Sequence, residues 1–162
     1  MNLSIQPLTK AQIREFIRWQ YEGDYAMYAM SEENEAEALT FFSDPANGYF
    51  AIVDENELLL GFCNFGADAQ VSGGDYSAAA IDVGMGMRPD LTGQGQGVAY
   101  ARAVFDFAQR QYPDRPLRAT IAAFNERAQQ VCLKHGFQVV AAFERTSDKR
   151  PFLMLQREAQ GI

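Results

Sequence analysis

Residues 87–111 read MRPDLTGQGQGVAYARAVFDFAQRQ, and their reading decides the fold. Gly93, Gly95 and Gly97 stand on alternate positions directly before a long helix-forming run. Glycine is a poor way to begin a helix, because it gives up the most backbone entropy on folding, so something else must require that backbone bare. A glycine-rich turn between a strand and a helix is an anion site: N–H groups at the helix start lack intrahelical partners, and the helix dipole favours negative charge there. The expected ligand carries a phosphate group; the bland alternative is a flexible turn with no ligand. Two familiar phosphate loops are excluded. A nucleotide P-loop needs Lys and then Ser or Thr after its last glycine, whereas Val98 and Ala99 follow Gly97. A dinucleotide fingerprint spaced G-x-G-x-x-G from Gly95 meets Tyr100 in its third slot.

Outward from the loop, residues 77–88 read as a strand ending at Arg88-Pro89, and the helix runs from about residue 97 to 112, closed by Pro113. Upstream, residues 3–8 alternate as a first strand. Thr9 and Gln12 have capping-box spacing before a helix with Ile13, Phe16 and Ile17 on one face. Residues 31–45 form a second helix, with Ser31 as N-cap, an acidic first turn, and Pro45 and Gly48 at its end. Residues 49–66 are a hairpin. Downstream come a strand (116–124), a short helix with Asn125 at its start and Gly136 just past its end, and two last antiparallel strands (137–146 and 151–158). The order β-α-α-β-β-β-α-β-α-β-β indicates an α/β fold around one mixed sheet.

Bulk properties bound the function. The 162 residues fit a single domain, residues 1–162, and 48% apolar content is that of a globular chain. No apolar run reaches the length of a membrane span, and the first residues lack the basic and apolar regions of a signal peptide. Cys63 and Cys132 read as reduced thiols of a cytoplasmic protein, and a single histidine excludes a Cys/His zinc site, so no metal is expected. A net charge of −7 argues against nucleic acid and is compatible with a cationic partner.

Two segments together resemble the GNAT superfamily of acyl-CoA N-acyltransferases. Thr92-Gly93-Gln94-Gly95-Gln96-Gly97, with Pro89 upstream, is similar to the family pattern Gln/Arg-x-x-Gly-x-Gly/Ala. NERAQQVCLKHGF is similar to its Asn-x-x-Ala-x-x-x-Tyr-x-x-x-Gly-Phe segment at Asn125, Ala128, Gly136 and Phe137. The aromatic segment 19–28 resembles one found in some bacterial members. The resemblance implies a central, mostly antiparallel, splayed sheet of six to seven strands flanked by about four helices. It implies acetyl-CoA as cosubstrate, its diphosphate held by amides of Gln94, Gly95, Gln96, Gly97 and Val98. Thr92 departs from the pattern, standing where Gln or Arg is usual.

The chemistry so implied is acetyl transfer to a primary amine, on a small molecule, a peptide N-terminus or a lysine. It needs a neutral amine and a stabilised oxyanion. Backbone groups of Met85 and Met87 are expected to bind the pantetheine arm, with the Met87 N–H as oxyanion donor. Asn125 resembles the asparagine that contacts that arm; it is also a plain helix N-cap. Asp82 is the expected base, acting through water, or a half-exposed strand carboxylate. Cys132 stands at the tyrosine that would protonate the leaving thiolate, as that acid or as a small core hydrophobe. Tyr25, Tyr28 or Tyr100 are substitutes for it. Trp19, Tyr21, Tyr25 and Tyr28 are expected to wall the acceptor site, against core packing. His135 is structural. Since such domains often pair, a homodimer is an expected state. The alternative function is an acyl-CoA-binding regulatory or scaffold module with little catalysis; a binding protein for another phosphate ligand is a third.

Overall fold

The structure is a computed structural model, which describes residues 2–30 and 34–160. The elements are β1 (Ser4–Pro7), α1 (Lys10–Phe16), α2 (Glu35–Ser43), β2 (Tyr49–Val53), β3 (Leu59–Phe65), β4 (Ile81–Met87), α3 (Gly97–Gln111), β5 (Leu117–Ala122), α4 (Glu126–Lys134), β6 (Gln138–Glu144) and β7 (Pro151–Arg157). Their order is the one expected from the sequence.

The capping box forms at α1: the Gln12 amide donates to Thr9 Oγ1 at 3.1 Å, and the Thr9 amide to Gln12 Oε1 at 2.9 Å. Helix α2 begins later than expected. Asn34 caps it by accepting from the Glu37 amide, so Glu35 and Glu37 fill its first turn, where carboxylates suit the dipole. Ser31, Glu32 and Glu33 lie outside the described residues. Strand β4 also starts later, at Ile81. The Ser77 amide and hydroxyl both turn back onto Asp75 Oδ1, and the Ala78 carbonyl is taken by Arg118, which withdraws this stretch from pairing.

All the strands join one sheet in the order β1-β2-β3-β4-β5-β7-β6. Every neighbouring pair is antiparallel except β4–β5, which is parallel. That parallel pair stays in register only at Ile81↔Leu117 and Asp82↔Arg118, and then the strands part. One core, built on Ile52, Cys63, Val83, Leu117 and Leu155, packs under α3 and α4 through Tyr100, Val104, Phe105 and Cys132. The other joins Ala51, Val53 and Leu59 to Ile13, Phe16, Ile17 and Trp19 beneath α1 and α2. The sheet is thus covered on both faces, and the break between β4 and β5 is where a ligand can enter it from the edge.

Candidate active site

The site starts with hydrogen bonds that are not made. Ile81 donates its amide to Pro116 O at 2.8 Å, toward β5, whereas Arg88 donates to Leu60 O at 2.8 Å and Asp82 O accepts from Gly66 at 2.9 Å, toward β3. With a period of two, the backbone groups of Val83, Met85 and Met87 also face β5. The parallel ladder ends at Asp82↔Arg118, beside Val83, and beyond it the backbone groups of Met85 and Met87 border the gap with no strand partner. Backbone groups along such an edge are left to water or to a ligand. One acceptor among them is met from outside the sheet: Tyr21 Oη donates to Met87 O at 2.7 Å.

At the mouth of the gap the chain turns through the glycine loop. Gly93 (φ +71°) and Gly95 (φ +76°) take left-handed conformations that L side chains resist, and a Cβ on Gly95 would meet no atom within 4 Å. Gly97 opens α3 and packs against α4, its Cβ position 3.4 Å from Val131. Helices α1, α2 and α4 have side-chain caps, but Gln96 at the start of α3 supplies none; its Oε1 accepts from Tyr100 Oη at 3.0 Å instead. The amides of Gly97 and Val98 are therefore left for something outside the helix. Thr92 cannot serve as a donor there, since its hydroxyl is committed to Pro89 O at 2.7 Å.

The aromatic segment folds over this mouth as a 3₁₀ turn, Gly23–Tyr28. A cavity of about 560 Å³ lies between it and the loop, lined by Tyr21, Glu22, Tyr25, Thr92, Gln94 and Arg127 among others. A wider, shallower depression of about 830 Å³ runs along α2 and includes none of the glycine-loop residues. Tyr25 and Tyr28 stand against Phe124, at ring-centroid distances of 5.2 and 6.1 Å. Tyr28 Oη accepts from Asn125 Nδ2 at 3.1 Å, and burial raises the Tyr28 phenol above its ordinary pKa. Burial also pushes Tyr21 up to about 12.

The residues singled out in the sequence are not all brought together. Tyr21, Tyr25 and Gln94 line one cavity, Tyr21 reaches Met87 O, and Met85 lies further back along the open edge of β4. Asn125 caps α4 by accepting from the Ala128 amide at 3.2 Å and gives its amide nitrogen to Tyr28. Trp19 is 8% exposed and packs near Phe16 and Phe62, so it is a core residue and not part of the wall. Asp82 is 4% exposed, not half-exposed, and is gripped by Arg118 through two contacts of 2.6 and 2.9 Å, with Gln70 donating at 2.8 Å. With both oxygens engaged by protein donors, this carboxylate is not presented to the gap as a base. Cys132 lies in the core under α4, and burial pushes its thiol up to about 12, which makes it a poor proton donor to a thiolate of ordinary basicity. His135 Nδ1 bonds Val131 O at 2.8 Å within its own helix end. Arg127 lines the cavity and was not singled out in the sequence.

Among the described residues, no cluster of three or more His, Cys, Asp or Glu side chains could hold a metal ion, and no helix is long and apolar enough to cross a membrane.

The sheet thus opens between two parallel strands, with the glycine turn at the mouth of the opening. The chain belongs to the GNAT acetyltransferase family: the family model described as "Acetyltransferase (GNAT) domain" matches residues 2–138. Comparison with curated proteins gives no significant match. Solved structures share the fold at low identity. An acetyltransferase of the GNAT family from Bacillus anthracis superposes with a TM-score of 0.76 at 12% identity, covering 99% of this chain and 97% of that one. A chimera of the spermidine N-acetyltransferase SpeG from Vibrio cholerae with hSSAT gives 0.74 at 14% identity, covering 98% and 96%. A GNAT-family acetyltransferase from Bordetella pertussis gives 0.68 at 16% identity, covering 94% and 93%.

Proposed function

We propose that the protein transfers an acetyl group from acetyl-CoA to a primary amine of a small molecule or peptide. The observation that carries this reading is the parting of β4 from β5 after Asp82↔Arg118, which leaves the amide and carbonyl of Met85 and the amide of Met87 along an open edge, with the Met87 carbonyl met by Tyr21. An extended chain with alternating amides, as in pantetheine, pairs with such an edge as a strand would. The amides of the loop residues Gln94, Gly95, Gln96, Gly97 and Val98 hold the diphosphate at the mouth. The Met87 N–H points into the gap and donates to the oxygen on which charge develops; losing one such donor costs roughly a hundred- to a thousandfold in other enzymes.

Asp82 and Cys132 take no part in proton transfer in this scheme. The amine reaches the gap past Tyr21 and Tyr25 and sheds its proton to water. The protein works in the cytoplasm, in keeping with two buried, unbridged thiols. The test is release of free CoA thiol from acetyl-CoA over a panel of amines, beside calorimetric titration with acetyl-CoA. Saturable binding with amine-dependent thiol release supports the proposal.

A second reading is favoured by one observation: the two positions expected to move protons, Asp82 and Cys132, are both closed off. On that reading the chain is an acyl-CoA-binding module with little catalysis. It predicts tight acetyl-CoA binding with no thiol release over any amine.

A further inference from the structure

We infer that Arg127 is the cation that holds the cosubstrate's diphosphate, replacing from α4 the charge that the loop lacks at Thr92; this rests on the acetyl-CoA reading above. Arg127 lies in the first turn of α4, yet its guanidinium crosses to the glycine loop. The Cβ position of Gly93 lies 2.6 Å from Arg127 Nη1, so the guanidinium passes directly over the loop. Tyr25 holds the group from behind: Nε donates to Tyr25 Oη at 3.1 Å, and Cζ sits 4.3 Å from the centre of the Tyr25 ring. That fixes the plane of the fork and uses only Nε. Among the described residues the Nη groups make no hydrogen bond and Arg127 forms no ion pair, although its side chain lines the cavity with Gln94.

The placement is electrostatically odd without a ligand. A guanidinium beside the uncapped, positive start of α3 is repelled by it unless an anion lies between. A diphosphate satisfies both, since two parallel N–H donors of Arg match phosphate oxygens in a bidentate contact. Of the carboxylates on the cavity wall, Asp90 is already paired with Arg88 at 2.7 Å, which leaves Glu22.

The test compares wild type, Arg127→Gln, Arg127→Lys and the double variant Thr92→Arg/Arg127→Gln. Each is titrated with CoA and with dephospho-CoA, which keeps the diphosphate and lacks the 3′-phosphate, and assayed with acetyl-CoA and S-acetylpantetheine, which has neither. Arg127→Gln is expected to weaken CoA and dephospho-CoA alike, by about ten- to a hundredfold. The loss of kcat/KM should be at least about tenfold smaller with S-acetylpantetheine than with acetyl-CoA, since the shared contact with Tyr25 affects both donors and the diphosphate contact only one. Arg127→Lys should fall between, and Thr92→Arg should restore most of the lost affinity by returning a cation to the loop. Equal CoA affinity in wild type and Arg127→Gln overturns the inference and leaves the acetyl-CoA reading intact. A penalty that vanishes with dephospho-CoA also overturns it, by assigning Arg127 to the 3′-phosphate. An equal penalty with S-acetylpantetheine and with acetyl-CoA overturns it in favour of a packing role through Tyr25. Wild type that binds neither CoA nor dephospho-CoA overturns the reading itself.

Discussion

Asp82 and Arg118 are the last register pair of β4 and β5 and also an ion pair, 2.6 Å from Oδ1 to Nε, with both side chains almost wholly buried. The pair sits at the vertex where the sheet opens. It holds the strands together on one side of that point, and Arg118 also binds Ala78 O at 2.9 Å. Removing one partner strands a buried charge, at a cost of about 3–5 kcal/mol. Asp82→Asn and Arg118→Met should each show that loss in urea denaturation, and Asp82→Leu/Arg118→Met should recover most of it. The turnover of Asp82→Asn, per folded molecule, should drop less than about tenfold. A drop of about 10²–10⁴ is the mark of a general base and would restore that role to Asp82.

The two buried thiols predict a pH dependence of stability. Burial holds Cys132 at about 12 and raises Cys63 as well, against an ordinary value of 9.0. Above 9 the unfolded chain releases protons that the folded chain retains, so stability is intact below that pH and falls as pH rises toward the folded values. The slope approaches about 1.4 kcal/mol per pH unit for each thiol. Urea midpoints at pH 8 and pH 10 should differ accordingly, and Cys132→Ala should make the decline shallower. Neither thiol should react with a thiol reagent before unfolding.

The fold was readable because its signals are local. The Thr9–Gln12 box, the hairpin, the glycine turn and Gly136 each punctuate the chain within a few residues. The start of α2 was misplaced because SEEN offers two capping residues three apart, Ser31 and Asn34, and only the position of the apolar face decides between them. The site divided along the same line. Met85, Met87 and the loop were named from the family resemblance, and strand parity turns the backbone of both methionines toward β5. Asp82 was misjudged because its partner is 36 residues away and meets it only through the sheet register. Trp19 continues the apolar face of α1 into the core, and sequence alone does not separate it from the tyrosines that follow. Arg127 had one available signal: a cation two residues after Asn125, in a chain whose loop lacks one at Thr92.

Two glycines of similar backbone should respond differently to alanine. Gly48 (φ +70°) and Gly95 (φ +76°) are both left-handed, and each substitution costs about 1–2 kcal/mol in strain. At Gly48 the added methyl also collides with the Phe65 carbonyl oxygen, so Gly48→Ala should lose stability well beyond that figure. At Gly95 the methyl meets no protein atom within 4 Å, so strain is the whole stability cost. Its main effect should be on calorimetric affinity for CoA, because the methyl occupies the face by which a phosphate oxygen reaches the loop amides. Unchanged CoA affinity in a folded Gly95→Ala protein would remove the loop from the binding site.

Tyr21→Phe separates positioning from acceptor binding. The ring and its packing remain, and what is lost is the 2.7 Å bond from Oη to Met87 O. A neutral hydrogen bond of this kind contributes about 0.5–1.5 kcal/mol to stability, and denaturation should register a loss of that size. The larger consequence is at the Met87 peptide. The Met87 carbonyl is held by Tyr21, and its N–H faces the same gap, so freeing that edge loosens the donor proposed for the developing oxyanion. Small misplacements of such groups cost much in rate. The kcat should therefore fall by about tenfold while KM for the amine stays within about twofold, since the aromatic surface offered to the acceptor is unchanged. A rise in amine KM at constant kcat would instead make the Tyr21 hydroxyl an acceptor contact, with the Met87 bond incidental to catalysis.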